Sequence, residues 1–141
     1  VKYPLLIILL LFSCQKGKKN PDACNGNTRR EIKLMTDEKS SEVNLVSDTT
    51  TIKKLGDLAV PEVKTDTERQ PVEMQLYTVR CKVDKVKREH DGDFHIRLVD
   101  GEDYLIAECP NPNCSYAQMS PLLDRYREVY FFIENNYLEG K

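Results

Sequence analysis

No stretch of this chain is apolar for long enough to hold a permanent membrane-spanning helix, and no charge of one sign dominates it. The formal net charge is −2, so there is no bulk basic field of the kind that draws a protein onto nucleic acid or anionic lipid. Between Gln15 and Gln70 there is no aromatic residue and no sustained apolar periodicity. A self-sufficient core is excluded there. Of 141 residues, roughly 70 to 75 remain for a folded domain, which is a small core.

What is present begins at the N-terminus, where Lys2 is followed by the unbroken run Leu5 to Phe12 and then by Ser13-Cys14. Crossing a hydrocarbon layer takes about 20 residues, whereas the core of a secretory signal takes about 7–15. The run fits only the second. Leu11-Phe12-Ser13-Cys14 resembles the lipobox of bacterial lipoproteins, in which a small residue precedes the cysteine that is lipidated and becomes the mature N-terminus; Phe12 is bulkier than usual. The polar switch at Gln15-Lys16-Gly17-Lys18 fits that reading. A plain signal cleaved elsewhere is the alternative.

The expected organisation is a signal peptide at 1–13, a polar and largely disordered lipidated tether at 14–68, and a small β-rich domain at 69–141. The expected address is the bacterial cell envelope, with the membrane engaged through palmitate at Cys14. Export would place the five cysteines where disulfides persist. Cys24 lies isolated in the tether.

Within the domain, Tyr77, Val79, Cys81 and Val83 alternate with Thr78, Arg80 and Lys82, the pattern of a half-buried strand. Asp91-Gly92 and Asp100-Gly101 are turn dipeptides, because glycine accepts positive φ. They bracket a second strand carrying Phe94, Ile96 and Leu98. Tyr104 to Cys109 reads as a third, stopped by Pro110 and Pro112. Ser120-Pro121 then opens a helix with Leu122, Tyr126, Val129, Ile133 and Tyr137 along one face. A three-stranded meander plus a helix is the first part of an oligonucleotide/oligosaccharide-binding (OB) barrel, so a mainly β, partial OB-like fold is expected. The two further strands of such a barrel do not appear before Lys141, and a truncated domain is one reading.

Asp91-Gly92-Asp93-Phe94-His95-Ile96 and Ile106-Ala107-Glu108-Cys109-Pro110-Asn111-Pro112-Asn113-Cys114 resemble two motifs of an uncharacterised family of secreted bacterial domains. The likeness runs from about Leu55 to Tyr130. It implies no reaction, since that family has none established.

Asp91, Asp93, His95 and Glu108 form the polar cluster to weigh. Asp93 and His95 share the outward face of the second strand and Glu108 lies opposite on the third, a surface suited to a divalent cation or a sugar. The plainer alternative is a turn made by Asp91 and Asp93, with His95 and Glu108 as a cross-strand pair. Asp93 and Glu108 also resemble the carboxylates of calcium-dependent thermonuclease-like OB domains, but the third strand lacks the arginine that phosphoryl chemistry needs. A single-stranded nucleic-acid module would want outward aromatics beside lysines, and Tyr77 and Phe94 point inward. The leading reading is a non-catalytic binding or interaction module, with an envelope protein or glycan as ligand. Strand parity turns Cys81 and Cys109 toward one core and allows a disulfide between them, with Cys114 the competing partner of Cys109 and more exposed. Two buried free thiols are the alternative.

Radiolabelled palmitate should be incorporated by the full-length protein made in a bacterium and lost in Cys14→Ala. Unchanged labelling of that variant would overturn lipidation at Cys14.

Overall fold

The computed structural model describes Cys24, residues 29–59, Lys64 and residues 68–138; the leader and Cys14 lie outside the described residues. The protein is mainly β, with five strands in two sheets and a C-terminal helix among the described residues. The sheets do not close into a barrel. Among the described residues, no helix is long and apolar enough to cross a membrane.

The expected meander is present as β3 (Lys82–Arg88), β4 (Phe94–Asp100) and β5 (Asp103–Cys109). Its register sets Phe94 against Cys109, Ile96 against Ala107 and Leu98 against Leu105, so one face of the sheet is apolar. Both connecting turns use glycine with positive φ, Gly92 at 88° and Gly101 at 63°, where a Cβ would be strained. Helix α3 (Leu123–Ile133) covers the apolar face. Phe94 stacks on Tyr130 at 4.3 Å between centroids, and the Tyr130 hydroxyl donates to the Gly92 carbonyl at 3.1 Å. Val129 and Tyr137, expected on the buried face, are exposed. The buried stripe runs instead through Tyr130 and Ile133, after which a wider π turn at Glu134–Leu138 brings Leu138 onto the core.

The first strand is not the continuous one that alternation suggested. It breaks at Arg80-Cys81, so that β2 (Gln75–Val79) belongs to a different sheet from β3. The partner of β2 is β1 (Asn44–Thr50), paired in parallel and interrupted by a bulge between Asn44 and Asp48. Six of the seven β1 residues are exposed, which is why no periodicity announced it. A short helix, α2 (Ile52–Gly56), follows, capped by the Thr51 hydroxyl and anchored by Ile52, 1% exposed. The folded unit therefore begins well upstream of Arg69, within the stretch expected to be spacer.

What orders that stretch is mostly polar. Helix α1 (Arg30–Lys33) ends in a Schellman turn, with Thr36 N–H on the Glu31 carbonyl at 2.8 Å, Met35 N–H on Ile32 at 3.2 Å and Met35 at φ 57°. Leu34 beside it is 2% exposed. Its carbonyl accepts the Ser120 hydroxyl at 2.6 Å, and that of Lys33 accepts the Tyr126 hydroxyl at 3.0 Å. Arg69, its side chain 4% exposed, grips the Asp37 carboxylate with Nε at 3.1 Å and Nη2 at 2.5 Å. The same guanidinium donates to the carbonyls of Glu73 and Ile32. Arg29 holds both Glu73 carboxylate oxygens at 2.7 Å.

The disulfide is Cys24–Cys114, with Cα atoms 5.7 Å apart and 90 residues of separation. Cys81 and Cys109 are free, Cys109 buried and Cys81 half-buried. Of the two readings that strand parity left open, free thiols and a Cys81–Cys109 bond, the first holds: the two cysteines sit at opposite ends of the sheet, Lys82 pairing with Val99 and Cys109 with Phe94, and β4 lies between the strands flanking them. Two strand spacings are about 9–10 Å, beyond the ~4.4–6.8 Å that a disulfide bridges. Cys114, expected to be more exposed, is 1% exposed.

Asp37→Ala would leave the Arg69 guanidinium buried without its counter-ion and should cost about 3–5 kcal/mol in chemical denaturation. The hydrogen bonds from Arg69 hold the Asp37 carboxyl below its ordinary value, against the opposing effect of burial. The pair's contribution is thus present above the unfolded carboxylate pKa and lost as pH falls through the depressed one. The variant should lack that part of the acid dependence. A loss under about 1 kcal/mol, the range of an exposed pair, would show the contact to be dispensable.

Candidate functional site

The outer face of the meander carries the predicted polar cluster, and register decides which of its members meet. His95 and Glu108 are direct cross-strand partners, and His95 Nε2 lies 2.9 Å from Glu108 Oε1. On the opposite ring edge, Nδ1 is 3.2 Å from Glu89. Lys33, from α1, reaches Glu108 at 2.5 Å, and Lys87 reaches Glu89 at 3.0 Å. The result is a chain of alternating basic and acidic side chains, Lys33, Glu108, His95, Glu89 and Lys87, running from α1 across the sheet. Lys33 and Glu89 were not foreseeable from strand parity, since one arrives from the upstream segment and the other from the turn before β4.

Asp91 and Asp93 do different work. The Asp91 carboxylate accepts the Asp93 N–H at 3.2 Å, and the Asp93 carboxylate accepts the Asn111 N–H at 2.7 Å. The two aspartates fold the turn and pin the Pro110-Asn111-Pro112 loop to it. Burial raises the Asp93 pKa, and the charges of Asp91 and Glu108 add to this against the Asn111 hydrogen bond and Lys33. Among the described residues, no three His, Cys, Asp or Glu side chains are grouped to hold a metal. The glutamates touching His95 sit on opposite ring nitrogens and so cannot share one ion with it. Ion pairing, not chelation, is what this arrangement does.

The cation that reaches Glu108 is a lysine. Arg97, the arginine on β4, pairs with Asp84 at 3.3 Å and lies over the Tyr104 ring at 4.6 Å. The phosphoryl-stabilising geometry of a thermonuclease-like site is therefore not assembled around Asp93 and Glu108 by the contacts of the described residues. Cys109 offers no nucleophile either, because burial, followed by the nearby Asp93 charge, pushes its thiol up to about 12. Beyond the ionic end, the same face shows Tyr104 and Ile106, 59% and 53% exposed. Their signal in the sequence was apolar residues at both parities of β5.

Because the Asp93 pKa is raised by folding, the native state is favoured at low pH and loses that advantage as pH rises through the raised value. Asp93→Asn keeps an acceptor for Asn111 and removes the charge. It should match or exceed wild-type stability at neutral pH, whereas Asp93→Ala orphans a buried N–H and should cost about 1–3 kcal/mol. Equal losses in thermal melts of both variants would show that the carboxylate's charge is needed. No protein-family model matches the chain, and neither a curated protein nor a solved structure matches it.

Proposed function

We propose that this chain is a lipid-anchored protein of the bacterial envelope whose β-rich, partial OB-like domain is a non-catalytic interaction module for an envelope protein. The observation that carries the reading is the outer face of β4 and β5, where Tyr104 and Ile106 stand exposed and Arg97 is held over the tyrosine ring. Tyrosine and arginine are the residue types that dominate interface energetics, especially when packing holds them in place beforehand. A glycan is the lesser fit, because Ile106 gives a sugar hydroxyl nothing to bond. The Cys24–Cys114 disulfide supports export, since such bonds persist in oxidising compartments.

Photo-crosslinking from position 104 in intact cells should yield one discrete protein adduct. Arg97→Ala and Ile106→Ala should each reduce it about tenfold or more, as expected for the loss of ~1.4 kcal/mol or more at a hot spot. Unchanged adduct yield in both variants, or adducts to cell-wall glycan alone, would overturn the reading.

A further inference from the structure

A second place on the molecule, away from the outer face, holds charge that no ion pair among the described residues answers. The chain crosses from one sheet to the other through Arg80 and Cys81. There Arg80, Cys81 and Lys82 line a cleft of about 460 Å³ together with Thr50, Thr51 and Asp100. That volume lies within the range of small-ligand sites. Every other arginine among the described residues has a carboxylate or an aromatic ring as partner. Arg80 and Lys82 have neither. Asp100 shares their cleft without forming an ion pair with either of them, and its carboxylate has no ion-pair partner among the described residues. The two cations flank the thiol on the crossing segment, and Asp100 sits just past Val99, the residue that pairs with Lys82. Opposite charges are thus presented side by side around one open space.

We infer that this cleft binds a small zwitterion of the amino-acid class, its carboxylate on Arg80 and Lys82 and its ammonium on Asp100. A planar guanidinium matches a carboxylate with two parallel hydrogen bonds, and Lys82 adds a point charge. The threonine hydroxyls supply further donors at the wall. A simple anion would leave Asp100 unmet and repelled, and a simple amine would meet two cations. Only a ligand carrying both charges satisfies all three groups.

Cys81 is a built-in reporter, because Cys109 is buried with its thiol pushed up to about 12 and the other described cysteines are bonded to one another. The probe is L-alanine, with acetate and ethylamine as controls at matched ionic strength. The readout is the rate at which iodoacetamide alkylates Cys81 in the native, disulfide-intact chain, located by peptide mapping. L-Alanine at millimolar concentration should slow alkylation several-fold, and the controls should not. Arg80→Gln should abolish the protection; Asp100→Asn should weaken protection by L-alanine about tenfold and let acetate protect. All three groups are exposed, so these variants are expected to fold. Absence of protection, or equal protection by all three probes, would overturn the inference. So would protection that survives Arg80→Gln. None of these results bears on the outer-face interaction, whose cross-linking is read from a different surface.

Discussion

The contact on which the rest of the structure depends is the buried pairing of Arg69 with Asp37. Removing a guanidinium from water is expensive unless its donors are met, and here they are met by one carboxylate and the carbonyls of Glu73 and Ile32. Those acceptors come from two stretches of chain more than thirty residues apart, so the arginine cannot be satisfied unless both are in place. That requirement fixes the end of α1, and with it Leu34 against Ser120 and Lys33 within reach of Glu108 and Tyr126. The ionic end of the outer sheet face is therefore built downstream of this one polar tie.

Such reliance on polar and covalent ties follows from size. The apolar cluster under α3 comprises Phe94, Ile96, Cys109, Tyr130 and Ile133, with a few partly buried neighbours, and a core of that extent stabilises a domain only marginally. The Cys24–Cys114 bond closes a loop of about ninety residues, for which chain-entropy arguments give roughly 4–5 kcal/mol. Reduction would remove the covalent constraint on the upstream segment and leave its polar ties.

The parts legible in the sequence were those governed by local rules. The alternation of Phe94, Ile96 and Leu98 and the two Asp-Gly turns placed the hairpins, and Ser120-Pro121 marked the helix only to within two residues, since α3 starts at Leu123 with Leu122 at its N-cap and the Ser120 hydroxyl donates to the Leu34 carbonyl. Parity also brought His95 opposite Glu108. The parts that were not legible depend on partners distant in sequence. β1 buries almost nothing, so it left no periodic trace, and its pairing with β2 broke a strand that alternation alone would continue through Cys81. The choice between a bond and free thiols at Cys81 and Cys109 stayed open for the same reason, because strand order, not parity, sets how far apart two inward residues lie. Asp93 looked like a surface ligand until the Asn111 N–H claimed it.

The disulfide also has a geometric consequence for how the domain would sit in a cell. Only ten residue steps separate Cys14 from Cys24, and a fully extended chain covers at most about 3.3–3.6 Å per step. If Cys14 carries the lipid, the bonded Cys24 can rise no more than about 35 Å above its attachment point. The module would then be leashed close to the bilayer, able to swivel over a disc of neighbouring membrane but not to reach across a wide periplasm, and its partners would have to come to it at that height.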